Sequence, residues 1–169
     1  GSTFTNTKAL IGGAICIAGD GTVVDDSTFA YNDAVSTTGG TGGAINIDGS
    51  NAIISNSDFS HGTAVNYGGA IAVWGDNAVL VNNTIDQSKT TKFNGGAVYV
   101  FGTNATIALS NFTQCNALGD QYAKGGAIDV VGDDTHILSC NFDDCDGRYG
   151  GVIYVSGEDA VIDDSTFKN

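Results

Sequence analysis

The sequence predicts an all-β chain wound into a right-handed parallel β-helix, a solenoid of about six coils, on three observations. Gly-Gly recurs at Gly12-Gly13, Gly42-Gly43, Gly68-Gly69, Gly95-Gly96, Gly125-Gly126 and Gly150-Gly151. Each second glycine stands six residues before another glycine (Gly19, Gly49, Gly75, Gly102, Gly132, Gly157), which stands ten before Phe29, Phe59, Ile85, Phe112, Phe142 or Phe167. Only the step from that column to the next Gly-Gly varies, from 8 to 13 positions. A period of about 25 to 30 residues with a fixed core and one elastic segment marks a solenoid whose insertions emerge on one side.

The first strand follows Gly-Gly. Its side chains alternate, so Ile15/Ile17, Ile45/Ile47, Ile71/Val73, Val98/Val100, Ile128/Val130 and Ile153/Val155 share one face and point inward. The opposite face carries Cys16, Asn46, Ala72, Tyr99, Asp129 and Tyr154, then Ala18, Asp48, Trp74, Phe101, Val131 and Ser156, a variety that suits an outer surface. A second strand follows the fixed glycine, with Val24, Ile54, Leu80, Ile107, Ile137 and Ile162 in one column and the Phe column five residues later. Between them lies a small column of Ser27, Ser57, Asn83, Ser110, Cys140 and Ser165; three residues past each Phe come Thr7, Asn32, Gly62, Ser88, Cys115 and Cys145. These small inward positions leave room for one Phe to lie on the next. Each repeat is thus two or three short strands joined by tight turns, stacked at the roughly 4.8 Å spacing of paired strands. Preference for right-handed crossovers between parallel strands sets the hand. A propeller needs a period nearer 40 residues, and the Leu/Asn ladder of a leucine-rich solenoid is missing.

The repeats fill residues 1–169, so a single β-helix domain is expected. The chain begins and ends within the motif, at Ser2-Thr3-Phe4 and Ser165-Thr166-Phe167, without a polar cap or amphipathic helix. Solenoid ends need capping, so the expectation is a fragment of a longer solenoid or an uncapped stacking subunit. Proline is absent, which suits strands that use every backbone N–H. A net charge of −13, with only six Lys and Arg, argues against nucleic acid as a partner and against anionic membranes. No apolar run approaches the roughly 20 residues of a membrane span.

Three groups of residues carry candidate chemistry. Trp74 and Phe101 occupy one outer position of neighbouring coils, with Val131 beyond them and Tyr99 beside Phe101, an aromatic strip able to stack on sugar rings or a partner protein. The alternative is that the segment from Thr113 to Lys124 folds over it. Cys115 and Cys145 share one position in adjacent coils, as a disulfide or as stacked thiols. Aspartates crowd the turns (Asp25-Asp26, Asp133-Asp134, Asp143-Asp144, Asp163-Asp164), where Ca²⁺ is weighed against plain solvated turns; neither an EF-hand nor a calcium-roll motif is present. No catalytic constellation assembles: Asp48 and Asp129 are three coils apart, Arg148 is the lone arginine, and His61 and His136 sit on different elements. Three sequons, beginning at Asn82, Asn104 and Asn111, are compatible with a glycosylated surface protein.

GGAI at Gly12, Gly42, Gly68 and Gly125, GGAV at Gly95 and FxxN from Phe29 to Asn32 resemble the paired repeats of chlamydial polymorphic membrane proteins. DDSTF, at Asp25 to Phe29 and Asp163 to Phe167, resembles the adhesin-like surface proteins of methanogenic archaea. The resemblance spans the chain. It departs at Gly150-Gly151-Val152, at Ile85, and in most copies of FxxN. It implies a secreted or cell-surface β-helix that adheres to another cell. The leading expectation is a non-enzymatic, extracellular adhesin-like segment binding a surface glycan or protein of a partner cell. A subunit stacking end to end on copies of itself into a filament or sheath, and a carbohydrate-active lyase or hydrolase, stay open as alternatives.

Overall fold

The computed structural model describes residues 1–119 and 121–168. Its strands form four sheets, one seven-stranded and three six-stranded, and every pairing joins equivalent positions of consecutive coils in parallel. The chain is a parallel β-solenoid of about six coils. One coil shows the plan: Ile71–Val73, Val79–Val81, Thr84–Asp86 and then Lys89–Thr90. That is four strands per coil, where the sequence predicts two or three. The fourth is two residues long, too short to display the alternation by which strands are read.

Register follows the sequence columns. Ile45, Ile71, Val98 and Ile128 lie over one another, as do Ile54, Leu80, Ile107 and Ile137, and all are buried. Rings stack in the third sheet: Phe4 on Phe29 at 4.9 Å, Phe29 on Phe59 at 4.7 Å, Phe112 on Phe142 at 4.8 Å and Phe142 on Phe167 at 5.0 Å. Ile85, paired with both Phe59 and Phe112, interrupts the pile. Near-parallel rings at this centroid spacing lie in the range that aromatic pairs favour, and Phe29, Phe59, Phe112 and Phe142 are almost fully buried.

Each of the first five coils turns four corners on a left-handed residue. In the third complete coil these are Gly68, Asn77, Asn82 and Gln87, with φ between 50° and 61°. At the Gly68 corner a side chain would strike the Ile71 carbonyl, which is why glycine alone stands there. The other corners use mostly Asn and Asp, which tolerate the conformation and bond locally. Amides climb from coil to coil: Asn77 Nδ2 donates to Asn51 Oδ1 at 3.3 Å and Asn104 Nδ2 to Asn77 Oδ1 at 2.8 Å.

The small column before each Phe does more than make room. Ser27 N donates to Ser57 Oγ at 3.1 Å, Ser57 N to Asn83 Oδ1 at 3.0 Å and Asn83 N to Ser110 Oγ at 3.1 Å. The N–H of the residue that follows the Asp26, Asn56 and Asn82 corners is thereby satisfied by the next coil's side chain.

Coil-to-coil contact through the fixed glycine generates a paired prediction. A methyl on Gly75 would meet the Gly49 carbonyl, whereas Gly19, one end of the same column, has nothing within 4 Å of that position. Gly75→Ala is expected to lose about 3 kcal/mol or more in urea unfolding, and Gly19→Ala to stay within about 0.5 kcal/mol of the parent. Equal losses would contradict this account of the column.

Candidate functional site

The outward residues of the Gly-Gly sheet stand in one column, Cys16, Asn46, Ala72, Tyr99, Asp129 and Tyr154. The expectation that this column is an outer surface is corrected by the structure, because Asn46, Ala72, Tyr99 and Asp129 are buried. The cause is the residue before each Gly-Gly. Ile11, Thr41, Tyr67 and Asn94 bridge one another in parallel, as do Lys124 and Tyr149. Their side chains fall back over the strand: Thr41 Oγ1 donates to Asn46 Oδ1 at 2.9 Å, and the Tyr67 ring stacks on Tyr99 at 4.5 Å. The elastic segment thus covers part of the sheet it emerges beside.

The aromatic strip survives in altered form. Tyr99 is 6% exposed and forms its floor. Trp74 is partly buried, donates Nε1 to Asn46 Oδ1 at 2.9 Å, and lies 5.3 Å from Tyr99 and 5.5 Å from Phe101. Phe101 is 50% exposed and presents the outer ring; Val131, partly buried, continues its column on the next coil. Two residues absent from the sequence reading complete the cluster. Tyr67 meets Trp74 edge-on at 5.8 Å, and Phe93 lies 5.9 Å from Tyr67. Beside Phe93 opens a recess of about 450 Å³ walled by Thr91, Lys92, Gln121 and Tyr122. Tyr67 is legible afterwards as an aromatic at the last position before Gly-Gly; Phe93 belongs to no column.

Asp129 is the site's electrostatic anomaly. Both carboxyl oxygens are buried without a hydrogen-bond partner of good geometry, although the Asn94 side chain faces them. Burial pushes its pKa up to about 7, opposed by the Lys124 ammonium and by Asn94. Lys124 Nζ also sits 4.4 Å above the Tyr154 ring, a cation–π contact that keeps the ammonium beside the carboxyl. Burial, with Asp129 and Tyr67 adding negative potential, raises the Tyr99 phenol, so Tyr99 stays neutral. Asp48, the other carboxyl on this sheet, is exposed and accepts from Asn46 Nδ2 at 2.9 Å.

The four cysteines are free thiols. Cys115 and Cys145 are both buried, stacked in adjacent coils, each with its sulfur turned to a backbone carbonyl of the preceding coil, Ile85 at 3.5 Å and Phe112 at 3.7 Å. Burial raises Cys115 and Cys140. Among the described residues no group of three His, Cys, Asp or Glu is placed to hold a metal ion, and no helix is long and apolar enough to cross a membrane.

A family model for the right-handed β-helix region matches residues 12–169. The chain belongs to the right-handed β-helix family. The match fixes the hand of the solenoid whose coils were described above. No curated protein and no solved structure matches the chain. Membership in the β-helix family defines the scaffold; the work of the surface has to be argued from its side chains.

Two measurements check this chemistry. Because the folded pKa of Asp129 lies above the unfolded value of about 3.9, the folded state retains a proton that the unfolded chain has lost between about pH 4 and 7. Stability carried by this group falls as pH rises through that window, by about 4 kcal/mol at full shift. Asp129→Asn is expected to gain on the parent between pH 4 and pH 8 in urea unfolding; a constant difference would contradict it. Thiol titration of the native protein should find one fast cysteine, Cys16, with the other three reacting only on unfolding.

Proposed function

We propose that this β-helix is a non-enzymatic, extracellular attachment segment that binds a surface glycan of a partner cell by stacking sugar rings on the Trp74/Phe101 terrace. The observation that carries the reading is the half-exposed Phe101 ring tilted 40° against Trp74, over buried Tyr99 and partly buried Tyr67. Rings already fixed by packing and by the Trp74–Asn46 hydrogen bond lose little freedom on binding, so more of the contact energy appears as affinity. Such flat, amphipathic surfaces suit the apolar faces of pyranose rings, and their hydroxyls find donors and acceptors around the recess at Lys92 and Gln121. The resemblance of the repeats to adhesin-like proteins supplies the extracellular setting.

A non-enzymatic role is supported by the distribution of carboxyls. Among the described carboxyls Asp129 alone is raised to near neutrality, yet it is shut away from solvent, and Asp48 lies three coils along the sheet. Acid–base chemistry on a glycosidic bond uses two groups flanking the reacting atoms.

Glycan-array binding followed by titration of the best ligand tests the proposal. Phe101→Ala, at a half-exposed position, is expected to keep the fold and weaken binding about tenfold or more, in line with loss of one stacked ring. Trp74→Ala should abolish measurable binding. Unchanged affinity in both variants would overturn the reading, as would sustained release of reducing ends or unsaturated products from the bound glycan.

A further inference from the structure

A second surface lies at a different corner of the coil, where the Phe sheet turns into the two-residue strands. There the left-handed corner residues Tyr31, His61, Gln87, Gln114 and Asp144 form one row, and the outward residues of the short strands form another. The rows bound an open groove of about 850 Å³ that runs along the solenoid axis from Asn6 to Asp144. Five rung steps give it a length of roughly 24 Å. The short strands and the elastic segments separate it from the Trp74 terrace.

The lining has a definite chemistry. Gln87 Nε2 donates to Gln114 Oε1 at 3.1 Å, and Gln114 Nε2 to Asp144 Oδ2 at 3.2 Å. A primary amide carries two N–H donors and a two-lone-pair oxygen, so this ladder leaves donors and acceptors alternating at rung spacing. Charges of both signs are mixed in: Lys8 pairs with Asp33 at 3.2 Å, and Lys89 lies two rungs from Asp144 and Asp146. A polyanion would meet carboxylates and a polycation would meet lysines. At one end Tyr31 stacks on His61 at 4.4 Å; the preceding rung carries Asn6 instead of a ring, and Tyr31 is 52% exposed. His61 Nδ1 is buried without a partner, so the histidine is held by its stack and not by a hydrogen bond through that atom.

We propose that this groove is a binding site for an extended, uncharged polysaccharide chain lying parallel to the solenoid axis. Hydroxyls, each both donor and acceptor, match the amide rows, and one terminal sugar stacks on Tyr31. A straight ladder favours a flat, ribbon-like β-linked chain over a coiled α-linked one. The site is independent of the Trp74 terrace and stands or falls separately.

The test is a titration of ¹⁵N-labelled full chain with cellohexaose, with maltohexaose as the coiled comparison. Cellohexaose is expected to shift amides along the groove over at least three consecutive coils, and maltohexaose to shift few or none. Tyr31→Asn suits the left-handed corner while removing the ring, and should weaken cellohexaose binding about tenfold; Thr63→Trp, filling the groove from an outward strand position, should block it. Trp74→Ala should leave the groove shifts unchanged. No groove shifts with cellohexaose, or shifts indifferent to both groove variants, would overturn the proposal. Shifts confined to the neighbourhood of Trp74 and Phe101 would overturn it while leaving the terrace reading intact.

Discussion

Each residue lies over its counterpart one coil away, and that vertical pairing organises everything else in the molecule. Parallel hydrogen bonds between coils repeat at the strand spacing, so any side chain in one coil has a fixed neighbour in the next. The hydrophobic gain is then collected column by column: aliphatic on aliphatic along Ile45, Ile71, Val98 and Ile128, ring on ring along Phe112, Phe142 and Phe167. Slipping a strand by one residue would turn these groups to the opposite face and place Asn46 or Tyr99 inside. The left-handed corners guard against that slip. They fix where each strand begins, and the glycines at the first corner and in the fixed column from Gly49 onward admit no side chain without a backbone shift.

Polar groups at the corners serve the same order. A left-handed residue turns an N–H or carbonyl away from its ladder, and the structure answers with side chains from the neighbouring coil. Serine and asparagine oxygens receive N–H groups just past the corners, and asparagine amides join corner to corner. The abundance of Asn, Asp, Ser and Gly in the sequence therefore reflects corner geometry repeated through the stack. Aspartates concentrated there also supply much of the net negative charge, which keeps a long, sheet-rich surface from associating nonspecifically.

The columns are legible because they sit at constant offsets from Gly-Gly, and the inward positions follow from those offsets down to Ile85 in the Phe column. Legibility fails where the offset ceases to be constant. Tyr67 and Phe93 lie in the elastic segment, and their packing over Tyr99 depends on a path that periodicity does not encode. The outward face of the first strand accordingly reads as open in the sequence, although Asn46, Tyr99 and Asp129 are covered. The corner groove is not legible in the sequence for a related reason. Its rows come from left-handed positions filled by Tyr31, His61, Gln87 and Gln114, residue types that give no turn signal of the Gly or Asn kind. Trp74 and Phe101 are legible because they occupy a constant offset; Tyr67 and Phe93, which pack beside them, are not.

Vertical registry is most directly tested by methyl NOE spectroscopy on Ile/Leu/Val-labelled protein. The account predicts a continuous chain of contacts from Ile54 to Leu80, Ile107 and Ile137, each methyl seeing its own column one coil away. Contacts between unlike columns in place of that chain, or antiparallel cross-peaks between adjacent strands, would contradict it.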